Sequence, residues 1–104
     1  MKLSYNALTA LRNDIAQFTE IRFLDLNGNQ LSDISGLASL KKLNELFLKD
    51  NQITDLSALV TNTELGKGDT VYITGNPLDC ESDLILQEIE ALEARHVSLY
   101  DDCN

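Results

Sequence analysis

The sequence predicts an α/β solenoid, in which short strands and turns repeat and stack and a helix plus a strand close the C-terminal end. Three observations carry this expectation. Within Ile21-Arg22-Phe23-Leu24-Asp25-Leu26-Asn27-Gly28-Asn29-Gln30-Leu31, Leu24 and Leu26 alternate as strand residues do, and Asn29 stands where the strand ends. The same spacing recurs as Leu43, Leu46, Leu48, Asn51 and Ile53, with Leu46 lying 22 residues after Leu24. After Pro77 the pattern changes, and Ile85, Ile89 and Leu92 follow helical spacing. A single strand-and-turn unit cannot bury its apolar face alone, so neighbouring units must stack.

The chain of 104 residues suffices for one domain, and a 43% hydrophobic content supports a packed core. The net charge of −9 argues against nonspecific binding to nucleic acid or anionic membrane. No run of 18 apolar residues is present, so no membrane span is expected. Met1-Lys2-Leu3-Ser4-Tyr5-Asn6 lacks the apolar stretch of a signal peptide.

The first copy is shifted. Met1, Leu3, Asn6, Leu8 and Leu11 align with Leu24, Leu26, Asn29, Leu31 and Ile34, and Ile15 and Phe18 then align with Leu37 and Leu40, with one residue inserted between. A first strand is expected at Met1–Leu3. With no cap before it, the end of the stack would expose Leu3, Leu8, Leu11 and an open strand edge, unless Ser4 to Phe18 fold back over it. Self-association through this N-terminal edge is therefore expected of the isolated chain.

The second and third copies continue into Leu31, Ile34, Leu37 and into Ile53, Leu56, Leu59. Spacing by three suits a short 3₁₀ or irregular turn. Asp33 and Asp55 are placed to hold backbone N–H groups at the start of those turns. The fourth copy, Val71, Ile73, Asn76 and Leu78, comes 25 residues after Leu46, with Gly66-Lys67-Gly68-Asp69 marking the inserted turn. That turn lacks the phosphate-loop spacing and precedes a strand rather than a helix.

Ser82 is a good helix N-cap, and Asp83 falls in the first turn. Gln87, Glu88, Glu90 and Glu93 are expected to face solvent, Leu84 and Leu86 to widen the apolar side, and Arg95 to sit favourably in the last turn. His96-Val97-Ser98-Leu99-Tyr100 alternates as a strand. The resulting organisation is a single domain over 1–104: a partial repeat at 1–17, repeats at 18–39 and 40–64, a last repeat at 65–79 and a closing segment at 80–104.

These residues resemble the leucine-rich repeat signature L-x-x-L-x-L-x-x-N-x-L. More narrowly, the chain resembles bacterial leucine-rich repeat proteins of the internalin-like, 22-residue class. Asn29-Gln30-Leu31-Ser32-Asp33-Ile34 and Asn51-Gln52-Ile53-Thr54-Asp55-Leu56 look like that class's N-x-I-x-D-I phrase. Gly68–Leu78 and Ala91–Val97 look like a common bacterial ending to such arrays. Those endings usually carry Gly where His96 stands, at a left-handed helix cap that His tolerates better than most residues. The resemblance implies a curved solenoid with a parallel concave sheet, short 3₁₀ or irregular convex turns and a C-terminal capping helix plus strand. It also implies recognition of another protein, often at a bacterial cell surface, although similar eukaryotic repeats act inside cells as regulatory subunits and scaffolds.

If the strands stack in register, three rows cross the concave face: Lys2, Asp25, Phe47, Tyr72, Ser98; then Ser4, Asn27, Lys49, Thr74, Tyr100; then Phe23, Glu45, Thr70, His96. Phe23, Phe47, Tyr72 and Tyr100 would form an aromatic patch, with Asp25, Asn27, Glu45, Lys49 and Thr74 around it. Alternatively these rings pack on one another across strands and serve only as sheet cover. Asn6, Asn29, Asn51 and Asn76 are expected to form a structural ladder. His96 has no Ser or Cys partner in an evident catalytic constellation, and two cysteines with one distant histidine do not make a metal site.

The function expected is thus a non-enzymatic module binding a protein or peptide, with no cofactor, no metal and no catalytic residue. The alternative is a structural cap or spacer of a larger multidomain or surface protein. Cys80 and Cys103 either form a disulfide or remain two thiols; if the final strand lies beside the fourth repeat, they come within bridging range. An extracellular or cell-surface location is favoured over a cytoplasmic one.

Overall fold

The computed structural model describes residues 1–11, 15 and 17–103. Four three-residue strands, β1 (Phe23–Asp25), β2 (Glu45–Phe47), β3 (Thr70–Tyr72) and β4 (Ser98–Tyr100), form one sheet in sequential order. Every neighbouring pair is parallel. Leu24, Leu46 and Val71 stand opposite one another in register, and all three are fully buried, as are Leu26, Leu48 and Ile73 just beyond the strands. The alternation of apolar and polar positions thus sends one set of side chains into the core and leaves the other on the outer face of the sheet.

The residue before each ladder asparagine takes a left-handed conformation: Tyr5 (φ 58°), Gly28 (70°), Asp50 (58°) and Gly75 (77°). This bends the chain so that the asparagine amide turns back under the strand end. A Cβ at Gly28 would run into the Tyr5 ring, and one at Gly75 into the Asp50 carboxylate. Glycine there leaves room for the side chain of the preceding repeat and takes the left-handed φ without the strain that Tyr5 and Asp50 bear at the equivalent positions.

Asn51 shows what the ladder does. Its Nδ2 donates to the carbonyls of Leu26 and Leu48, both at 3.0 Å, and its Oδ1 accepts from the Leu31 amide at 3.1 Å. Asn29 and Asn76 repeat this one step to either side. Asn6 does not: it is exposed, and its Nδ2 reaches only the carbonyl of Ser4. No strand forms at Met1–Leu3 either, only a bridge between Lys2 and Asp25, although the amides of Leu3 and Tyr5 donate to the carbonyls of Asp25 and Asn27. A second left-handed residue, Ala7 (φ 57°), follows Tyr5 and breaks the repeat geometry. Leu11 is nevertheless buried, and Leu3 and Leu8 are half-buried, contrary to the exposed end expected; Phe18, aligned with a core leucine, is exposed instead. The insertion between Leu11 and Ile15 lies outside the described residues.

The two turns differ. After β1 the chain makes a 3₁₀ segment, Ser35–Ser39, whereas the matching stretch after β2 is a short α-helix, α1 (Ser57–Thr61), with i to i+4 bonds from the Val60 and Asn62 amides. Gly36 in the first is Ala58 in the second, and alanine favours a helix over glycine by about 1 kcal/mol. Asp33 and Asp55 accept from the amides of Ser35 and Ser57 at 2.9 and 2.7 Å, the turn-starting role expected of them.

Helix α2 (Asp83–Ala94) begins at Ser82, whose side chain accepts from the Ile85 amide. Ile85, Glu88, Ile89 and Leu92 face inward. Leu84 and Leu86 do not widen the apolar side: they flank that stripe by a third of a turn each way and are exposed. Glu88 is buried rather than solvated, accepting from the Leu56 amide at 3.3 Å. Arg95 also departs from its expected role. Its guanidinium leaves α2 and donates to the carbonyls of Leu59, Val60 and Asn62, which end α1. A carboxylate at the start of α1 and a cation at its end both oppose that helix's dipole, so α2 clamps α1 by both ends.

Burial raises the Glu88 carboxyl pKa above 4.5; the Leu56 hydrogen bond opposes this, and the nearby Asp55 adds to it. Because the folded pKa exceeds the unfolded one, ionised Glu88 costs stability at neutral pH, and that cost fades as pH falls. Glu88→Gln keeps an acceptor for Leu56 and removes the charge. It should raise the melting temperature at pH 7, and the gain over wild type should vanish below about pH 4.5. Calorimetry at both pH values checks this; a gain independent of pH, or a loss at pH 7, contradicts it.

Candidate functional site

The outer face of the sheet holds most of the polar and aromatic candidates. In strand register, Phe23 pairs with Glu45, then Thr70, then Ser98, while Asp25 pairs with Phe47, then Tyr72, then Tyr100. All three rows therefore change at β4. Ser98 takes the place expected for His96, and Tyr100 the place expected for Ser98. The cause lies at the end of α2. The amides of His96 and Val97 donate to the carbonyls of Glu93 and Leu92, a left-handed helix stop with His96 at φ 65°. His96 and Val97 are used up in that stop, so the strand starts at Ser98. A slip of two residues keeps every side chain on its own face, and hydrophobic alternation cannot detect it.

The slip completes an aromatic ribbon. Phe23 and Phe47 are 5.3 Å apart between ring centres and tilted by 53°. Phe47 and Tyr72 stack at 4.7 Å and 7°, and Tyr72 and Tyr100 at 4.9 Å and 8°. These separations match the spacing of adjacent strands, so the sheet itself sets the stack. Phe23, Phe47 and Tyr72 are half-buried, and Tyr100 is 53% exposed.

Beside the ribbon, Asp25 accepts from the Asn27 amide at 3.0 Å, and the Asn27 side chain accepts from the Lys49 amide at 2.8 Å. Both side chains are thus partly committed to holding the strand ends. Glu45 and Lys49 are exposed, and Thr74 is half-buried. Asp102, not anticipated from the sequence, occupies the place expected for Tyr100, its carboxylate accepting from the Gly75 amide at 2.7 Å. Only the two-residue slip puts it there. Asn62 also escaped notice: fully buried, it donates to the carbonyls of Leu37 and Leu40, a second ladder step on the turn side that has no repeated copy to reveal it.

Cys80 and Cys103 form a disulfide, with Cα atoms 5.2 Å apart. It ties the approach to α2 to the segment following β4. Away from the sheet, a cleft of about 390 Å³ lies between the 3₁₀ segment and α1, lined by Ser32, Asp33, Ser35, Asp55 and Ser57 among others. Its two carboxylates already serve the turn amides. Among the described residues no group of three or more His, Cys, Asp or Glu side chains is placed to hold a metal ion, and no helix is long and apolar enough to cross a membrane.

No curated protein matches the chain. A family model describing leucine-rich repeats in two copies matches residues 19–61, the stretch from just before β1 to the end of α1. The parallel register of β1 and β2, the buried leucines and the asparagine ladder all fall on that segment or next to it. Over residues 19–61 the chain is thus similar to leucine-rich repeats in sequence, and the strand register and buried leucines there fit such repeats.

Proposed function

We propose that the outer sheet face binds a protein or peptide partner and that the module is non-catalytic. The observation carrying this is the aromatic ribbon Phe23, Phe47, Tyr72 and Tyr100 on the side of the sheet away from the core. Rings at a surface that are flanked by exposed charge, here Glu45 and Lys49, form the kind of patch that anchors partners. Stacked repeats of this type present extended concave surfaces, and we take this face as the concave one of a solenoid whose end is capped by α2 and β4. The disulfide supports an extracellular or cell-surface location, where such bonds persist. The internalin-like bacterial class fits the N-x-I-x-D-I phrases and belongs to the same proposal.

A second function, as a spacer without a ligand, is favoured by one observation: the rings stack on one another and so supply some of their own cover. Selection of a displayed random-peptide library on the whole chain separates the two. Binding peptides should enrich on the wild type and lose at least about tenfold in affinity on the Phe47→Ala/Tyr72→Ala variant, the cost of removing two interface anchors. Enriched peptides that bind the double variant equally well would overturn the proposed face.

A further inference from the structure

We infer that the β4 end of the outer face is a seat for an arginine side chain in a basic segment of the partner. This rests on the outer face being the binding surface and specifies the chemistry of what it takes. The geometry of the ribbon singles out one ring. Phe47 and Tyr72 each lie between two neighbouring rings, so their faces are largely covered. Tyr100 stacks on Tyr72 by one face only, and β4 is the last strand of the sheet. Among the described residues no further ring or strand stands on its other side, and the residue is 53% exposed. An open tyrosine face carries the negative lobe of the ring quadrupole and attracts a cation; a planar guanidinium can also stack on it.

Charge around this end agrees. From Asp79 to Cys103 the chain carries eight acidic side chains, seven of them outside the core since Glu88 is buried, and one basic one, Arg95. That single cation is turned inward onto the carbonyls ending α1 and does not neutralise the surface. Asp102 follows Tyr100 on the same face, with its carboxylate held at the Gly75 amide. The exposed lysines of this face, Lys2 and Lys49, belong to the far strands: Lys2 bridges to Asp25 beside β1, and Lys49 follows Phe47 of β2, two strands away from Asp102. A basic segment lying along the face thus meets favourable charge at β4. An acidic segment meets repulsion there.

The test uses the whole oxidised chain and a hexa-arginine peptide, with hexa-lysine for comparison. At low salt, hexa-arginine should bind more tightly than hexa-lysine and shift the Tyr100 ring resonances. Tyr100→Leu should weaken it by about fivefold, the scale of one exposed cation–ring contact, while Tyr100→Phe, which keeps the ring face, stays within about twofold of wild type. Retained circular dichroism confirms that each variant is folded. Equal binding of hexa-arginine by wild type and Tyr100→Leu would show attraction to diffuse negative charge and overturn the seat. If library peptides bind through Phe47 and Tyr72 while hexa-arginine leaves the Tyr100 ring unmoved, the arginine seat is wrong and the binding face stands. If the library peptides also ignore Phe47 and Tyr72, both are wrong.

Discussion

Asn51→Ala should cost about 3–5 kcal/mol, enough to lower the melting temperature by more than about 10 °C, whereas Asn6→Ala should change it little. Asn51 is 2% exposed, and its amide joins four backbone groups in two repeats, the Lys49 carbonyl at a longer 3.2 Å. These partners are not equally dependent on it. The Leu26 carbonyl also accepts from Asn29, and the Leu48 carbonyl also accepts from Asn76, so each keeps one bond. Among the described residues the Leu31 amide has no second acceptor and would be left buried and unpaired, at about 1–3 kcal/mol, with the two shorter carbonyl bonds adding about 1 kcal/mol each. Asn6 holds only the nearby Ser4 carbonyl at 3.2 Å and is exposed. Urea unfolding of both variants checks the contrast. Similar losses, or less than about 1 kcal/mol for Asn51→Ala, would mean the ladder does not hold the stack together.

The second large effect is expected from the disulfide. Replacing Cys80 and Cys103 by serine, or reducing the pair, should destabilise the chain by about 3 kcal/mol, since the crosslink spans a sequence separation of 23 residues and restricts the unfolded chain. The loss should be felt first at the β4 end, where the bond holds the segment carrying Asp102 and its link to Gly75. Hydrogen exchange should therefore quicken at Ser98–Tyr100 before it does at β1 or β2. Freshly purified, unreduced protein should show no free thiols under denaturing conditions. Two free thiols, or a urea midpoint unmoved by reductant, would contradict the prediction.

Much of the fold is legible in the residues because the repeat states it several times. Leu24 and Leu26 are matched by Leu46 and Leu48, and Val71 and Ile73 follow; all six are fully buried. An error in one copy would be exposed by the others. Asp33 and Asp55, again a matched pair, likewise perform the turn-starting role that their spacing suggests. Where the chain stops repeating, the sequence is a poorer guide. Glu88 looks like a surface glutamate from its polar neighbours, and only the packing of α2 on α1 reveals it as a buried acceptor for the Leu56 amide. Arg95 looks like a helix-end charge for its own helix but serves the end of another.

The candidate site divides along the same line. By itself the sequence determined which side chains share the outer face, because alternation has period two and assigns each residue a side. It also marked the place of the left-handed stop at His96, through the resemblance to arrays with Gly there, and the structure has that stop at φ 65°. Only the tertiary structure decided the register of β4. The helix stop consumes His96 and Val97, the strand begins two residues later, and a slip of two leaves the hydrophobic pattern unchanged. That choice brings Tyr100 onto Tyr72, places Asp102 beside Gly75 and leaves one ring face open. The register itself is seen only in the pairing of β4 with β3, more than twenty residues away in sequence, a contact that no local pattern encodes.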